Sequence, residues 1–269
     1  MAIIQTSTDG LRKLNNVYDG LLECESMPPL PNGFPRYLFR GERDGYPNTL
    51  TSMDRLYHGT SENESIYDEL DDLTAFVMRQ PFPAKDLKGR EAGVYAQHYG
   101  LPTQIFDFTS SAKIAIAFAA NRVNQAAKGG NIAILDVYTA MQNGCVIDDL
   151  RNNKYAKRAH VQSAFGVLYT GFRADDFYSL KDEIIANNMG LIWVPFVHLE
   201  NDEAFLKDIG ADNDILSTNG DPFAGLAQEF VDEYVKRSGG FSVDAAKLLS
   251  EAVPAVNRSE DENFSRWKK

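Results

Sequence analysis

Apolar residues recur at helical spacing over residues 9–25, where Leu11, Leu14, Val17, Tyr18, Leu21 and Leu22 fall on one face. The Pro-rich stretch from Met27 to Pro35 breaks that pattern, because no helix tolerates it. Arg36–Gly41 is short and aromatic-rich and ends in glycine, which predicts a strand running into a turn. From 62 to 79, acids alternate with Ile66, Tyr67, Leu70, Leu73, Phe76 and Val77, a helix whose acidic run, Asp68 to Asp72, reads as solvated surface.

Ile105–Phe108 predicts another short strand. Thr109 and Ser110 then stand as caps for a helix from about Ala112 to Ala127, stopped at Gly129 and Gly130. Strands follow at 131–138, 161–170 and 190–199, and helices at 203–210 and 222–237. The tail from Arg258 to Lys269 is polar and reads as frayed. Strands crowd the centre and helices both ends, an α+β arrangement. The expected layout is one domain over 36–237, with a split central antiparallel or mixed sheet flanked by helices. A helical extension (1–35) precedes it, and a C-terminal helix and polar tail (238–269) follow.

Composition narrows the chemistry. The chain of 269 residues is 43% hydrophobic and 24% charged, ordinary globular values. A net charge of −11 repels phosphate backbones at long range and disfavours non-specific nucleic-acid binding. Cys24 and Cys145 are the only cysteines, which excludes a disulfide scaffold. The four histidines lack ligand spacing, so no metal is expected. Neither a signal peptide nor a membrane span is legible, and the expectation is a cytoplasmic protein with no membrane partner.

Three segments could carry a site. Arg40 sits on a strand directly before Gly41, where a guanidinium can hold phosphate or carboxylate, or equally pair with a buried Asp such as Asp107. Gln97–Ser110 gathers His98, Tyr99, Thr103, Asp107, Thr109 and Ser110 within one turn, strand and helix start. The helix start would offer free N–H groups to an anion, or the two hydroxyls would simply cap it. His98 is a candidate base or a structural histidine. In the third segment, alternation places His160 and Gln162 on one strand face.

These residues carry a resemblance. Phe39-Arg40-Gly41, Leu50–Arg55, and Ala96–Thr103 through Asp107–Ser110 to Ala117-Phe118-Ala119 resemble the FRG domain family. Arg158–Phe165 is similar to a later segment of that family, with Ala164 in place of its usual Gly, and 206–210 and 223–227 resemble its closing helices. The likeness spans roughly 36 to 230, and its layout is similar to ADP-ribosyltransferases of the Arg-Ser-Glu type.

The resemblance implies an NAD-dependent ADP-ribosyltransferase-like effector, acting as a bacterial toxin or phage-defence protein. It would transfer ADP-ribose to a macromolecular acceptor, protein or nucleic acid, and an antitoxin could be a partner. Arg40, His98, Thr109 and Gln162 would be catalytic; Phe39, Gly41, Tyr99, Asp107, Phe108 and Ser110 would bind the cofactor. Such cleavage passes through an oxocarbenium-like state. A clamp on the diphosphate falls to Arg40, and an aromatic wall to Tyr95, Tyr99, Phe106 or Phe108. A carboxylate for the ribose is the open role: Gln162 cannot act as a base, and Asp107, Glu200 and Glu203 are rivals. The other readings are a non-catalytic nucleotide-sensing or protein-interaction domain, and an NAD glycohydrolase.

Overall fold

The computed structural model describes residues 12–46, 48–58, 64–79, 90–121, 128–151, 157–169, 179–211, 224–253 and 258–269. In chain order, β1 (Arg12–Lys13) and α1 (Leu14–Glu25) lead into β2 (Tyr37–Glu42). Helices α2 (Ser52–His58), α3 (Glu64–Arg79) and α4 (Arg90–His98) precede β3 (Phe106–Thr109), α5 (Ala112–Ala120) and β4 (Gly129–Asp136). Next come α6 (Val137–Gln142), β5 (Cys145–Asp149), α7 (Lys157–Val161) and β6 (Ala164–Tyr169). After these, α8 (Glu183–Met189), β7 (Leu191–Val197) and α9 (Asp202–Asp208) are followed by α10 (Leu226–Ser238), α11 (Val243–Ala252) and α12 (Glu260–Trp267).

Contacts divide the chain into two compact units. One comprises 1–49, 107–152 and 160–217, the other 50–106, 153–159 and 218–269. Apart from Phe106, every described strand lies in the first. There they form one open sheet of seven strands, in the order β1-β7-β4-β2-β3-β6-β5, with helices packed on it. The sheet is mixed, because β1 runs parallel to β7 while β4 is antiparallel to both β7 and β2. The expected split sheet is thus a single continuous one.

Its core forms where α1 and α5 cover one face. Leu14, Val17 and Leu21 of α1 meet Tyr37 and Phe39 of β2, Ile132 and Ile134 of β4, and Val194 and Phe196 of β7. Each such side chain contributes about 1.5–3 kcal/mol on leaving water. Alanine-rich α5 brings Ala115, Ile116 and Ala119 against them. At Gly41 the approach is backbone to backbone, since a Cβ there would stand 2.0 Å from the Ala115 carbonyl oxygen. What Gly41 admits is a helix.

Several boundaries fall elsewhere than the sequence predicts. Over 9–25 the described residues begin with the short strand β1, which pairs with β7, and only then turn helical. Gly129 and Gly130 open β4 instead of stopping a helix: a Cβ would lie 2.1 Å from the Phe196 oxygen or 2.0 Å from that of Glu42. The predicted helix residues 122–127 lie outside the described residues. The strand expected over 131–138 ends at Asp136, whose carboxylate accepts from the Thr139 N–H (3.0 Å) and starts α6. Where a strand over 161–170 is predicted, α7 continues to Val161 and β6 covers only Ala164–Tyr169.

The second unit is helical, built from α2, α3, α4, α10, α11 and α12. In α3, Ile66, Leu70, Leu73 and Val77 are buried while Asp68, Asp71 and Asp72 face water, as the acidic periodicity predicts. The tail read as frayed is a folded helix. Ser259 and Glu262 form a reciprocal capping box, and Trp267 is wholly buried. The Trp267 indole N–H and the Arg258 guanidinium both donate to the Asp232 carboxylate. No described helix is long and apolar enough to cross a membrane.

Candidate functional site

Strand β2 sorts its residues by alternation. Phe39, fully buried, and Gly41 point to the α5 face, so both serve packing, whereas Arg40 and Glu42 project from the opposite face. Pairing aligns Arg40 with Ala133 and Ala133 with Trp193, which sets Arg40 and Trp193 in one row on either side of a small residue.

The polar groups on this face are closely linked. Arg40 donates through Nη1 to the main-chain carbonyl of Asp107 at 2.9 Å, and its Nε lies 3.9 Å from Glu42 Oε1. The same Glu42 oxygen accepts the Thr49 hydroxyl at 2.7 Å, and Oε2 is 3.0 Å from Lys181 Nζ. Thr49 is held by the chain around Lys181: its N–H donates to Ser179 Oγ, and its carbonyl accepts from the Leu180 N–H. The Lys181 ammonium also donates to the Tyr46 carbonyl and sits 5.0 Å from the centre of the Trp193 ring. Trp193 in turn gives its indole N–H to the Leu180 carbonyl at 3.1 Å. Glu42 is almost fully buried at 5% side-chain exposure, while Arg40 (18%) and Lys181 (17%) keep some access to solvent. Two cations against one carboxylate leave this patch positive in an acidic chain.

The Thr109–Ser110 segment does other work. Thr109 pairs with Phe39 and so shares its face, away from Arg40, while Phe108 falls on the Arg40 face but is buried. The Thr109 hydroxyl donates to the Gln162 carbonyl (2.7 Å) and accepts from the Ser111 N–H (3.0 Å). The Ser110 N–H reaches the Ser163 carbonyl. The N-cap of α5 is Ser111, not Thr109 or Ser110. The Ala112 N–H at the helix start donates to Glu25 Oε2 at 2.9 Å. The anion expected at this helix end is therefore the protein's own carboxylate, brought by the last turn of α1.

Gln162 also departs from expectation. It lies in the turn after α7, buried, and not beside His160 on a strand; His160 is exposed on the helix, its Nδ1 2.7 Å from the Arg151 carbonyl. Ser163, at φ 46°, makes the left-handed step that turns the chain into β6.

His98 and Tyr99 belong to the second unit, at the end of α4 and the turn after it. Both are buried. Gly100 takes φ 101°, Gln97 donates to the Ile105 carbonyl (2.7 Å), and the Thr103 hydroxyl donates to Gln97 Oε1 (2.9 Å). Arg158 donates to the His98 carbonyl and lies over the Tyr99 ring. This motif is a self-bonded corner within its own unit. Tyr95 and Phe106, two other candidates for an aromatic wall, are buried in that unit too. Of the rival carboxylates, Glu200 and Glu203 are exposed.

The structure thus assembles Arg40 with Glu42, Thr49, Lys181 and Trp193, none of the last four a candidate in the sequence. Glu42 was within reach of the alternation rule, two residues beyond Arg40. Lys181 and Thr49 carried no local signal. No cluster of metal-ligating side chains occurs among the described residues.

In comparison with known proteins, residues 35–128, about a third of the chain, match the sequence model of the FRG domain. That stretch holds β2 with Arg40 and Glu42, the His98 corner and α5. The later resemblances at 158–165, 206–210 and 223–227 lie beyond it. No curated protein and no solved structure matches the chain.

Proposed function

We propose that the Arg40 face of the sheet binds NAD and that the protein is an ADP-ribosyltransferase-like enzyme cleaving the nicotinamide–ribose bond. The observation that carries the reading is the pairing of a partly exposed guanidinium with a buried carboxylate two residues on. Arg40 supplies a planar double donor for a diphosphate. Glu42 supplies the carboxylate that Gln162 cannot, able to accept a ribose hydroxyl and to balance the charge that grows on the ribose as the bond breaks. Trp193 takes the aromatic role first assigned to Tyr99 and its neighbours. Transfer to a macromolecule, a toxin or phage-defence setting and an antitoxin partner rest on the family resemblance alone.

A second reading draws on the same contacts. Because Glu42 Oε1 already accepts the Thr49 hydroxyl and Oε2 is ion-paired with Lys181, a nucleotide-sensing module without turnover fits these contacts as well. Incubation with NAD labelled in the nicotinamide and in the adenylate, with and without cell lysate, separates the readings. Nicotinamide release with label transfer is the expected result. Release alone indicates a glycohydrolase, and tight binding without release indicates the sensing module.

A further inference from the structure

We propose that Glu42, the Tyr46 carbonyl and the Trp193 ring form a cation subsite for the positively charged nicotinamide ring, which Lys181 fills with its own ammonium when no ligand is bound. The proposal rests on the NAD reading above and adds to it a self-occupied state.

Three kinds of group that hold an organic cation converge on one nitrogen: a carboxylate at 3.0 Å, a main-chain carbonyl, and an aromatic face at 5.0 Å. The cradle is fixed by bonds that do not involve the ammonium. Thr49 holds Glu42, and the Leu180 carbonyl holds the Trp193 indole in place. Lys181, in contrast, is a point charge on a flexible four-carbon stem, with a way out to solvent. A pyridinium ring offers the same charge in planar form and can stack on the indole. Ala133 separates Trp193 from Arg40 in the row, and the Arg40 guanidinium is where a diphosphate would lie.

The chemistry gives the exchange a direction. When the bond between the ribose carbon and the ring nitrogen breaks, both electrons stay on nitrogen and nicotinamide becomes neutral. Water or an acceptor adds to the ribose carbon, and its proton passes to solvent. The neutral product has lost its claim on the cation subsite, and Lys181 returns.

Calorimetric titration of the full chain with 1-methylnicotinamide (a cation), nicotinamide (neutral), NAD+ and NADH tests this. Lys181→Met, which keeps the stem, is expected to bind 1-methylnicotinamide and NAD+ about tenfold tighter than wild type, because the competing occupant is gone. Nicotinamide and NADH should be unchanged, and adding Glu42→Gln should erase the gain. Equal gains for cation and neutral probes, or no gain, overturn the proposal. A gain for 1-methylnicotinamide without NAD+ binding keeps the subsite and removes the NAD reading. If Lys181→Met fails to fold, wild type still decides: saturating 1-methylnicotinamide should speed acetylation of Lys181 about fivefold, the released amine being more open to reagent. An unchanged rate overturns the displacement.

Discussion

Two clusters in this molecule share one parts list, a buried carboxylate, two cations and a tryptophan, and use it differently. In the helical unit, Asp232 accepts from both terminal nitrogens of Arg258 (2.9 and 2.6 Å) and the Trp267 N–H (2.8 Å), with Arg266 at 3.4 Å. Every strong donor is aimed at the carboxylate. In the sheet unit, Trp193 turns its N–H away to Leu180 and its ring toward Lys181, and the Arg40 Nε stays 3.9 Å from Glu42. The first arrangement is closed and fastens a helix. The second leaves both its guanidinium and its ammonium partly exposed.

The largest expected effect lies in the closed cluster. Trp267→Ala should cost about 4 kcal/mol of stability, by cavity formation and loss of the Asp232 bond, read as a fall in urea midpoint. Next comes a contrast of paired truncations. Asp232→Ala should destabilise by about 3 kcal/mol, since it strands Arg258. Arg40→Ala should lower nicotinamide release about a hundredfold, with a change in the urea midpoint worth about 1 kcal/mol at most. If Arg40→Ala instead unfolds the protein and leaves release intact in the folded fraction, the two clusters are alike and the site is misplaced.

Acid should separate them further. Burial alone would raise the Asp232 carboxyl, but hydrogen bonds from Arg258 and Trp267, with the charges of Arg258 and Arg266, hold it below the ordinary aspartate value. A carboxyl lowered in the folded state adds stability that is complete above its unfolded value, about 3.9, and lost as pH falls through the folded one. Urea midpoints should therefore drop below about pH 4 in wild type, and less steeply in Asp232→Asn. The smallest effect is chemical. Burial pushes the Cys145 thiol up to about 12, so iodoacetamide at neutral pH should label it only after unfolding.

The sequence made some of this legible. The faces of α1 and α3, the strand at Arg36–Gly41 and the helix at Ala112 follow from local periodicity, which depends only on neighbours along the chain. The role of Gly129–Gly130 did not, because a glycine pair reads alike whether it ends a helix or admits a crossing carbonyl. A C-terminal helix is expected, but α12 reads as a frayed tail because its charge looks like disorder while one tryptophan does the anchoring. Within the candidate site, Arg40 stands out by type and context, whereas Glu42, on the same face, carries no such signal. Thr49 and Lys181 sit 132 positions apart and meet only through tertiary folding.

The contact at Gly41 has a mechanical consequence. Where two main chains touch with no side chain between, their spacing is set by van der Waals contact of backbone atoms and does not drift when the surrounding core is repacked. Arg40, one residue earlier on the same strand, inherits that fixed reference. Its guanidinium can therefore keep its register while the aliphatic residues of the core exchange freely with others of similar volume.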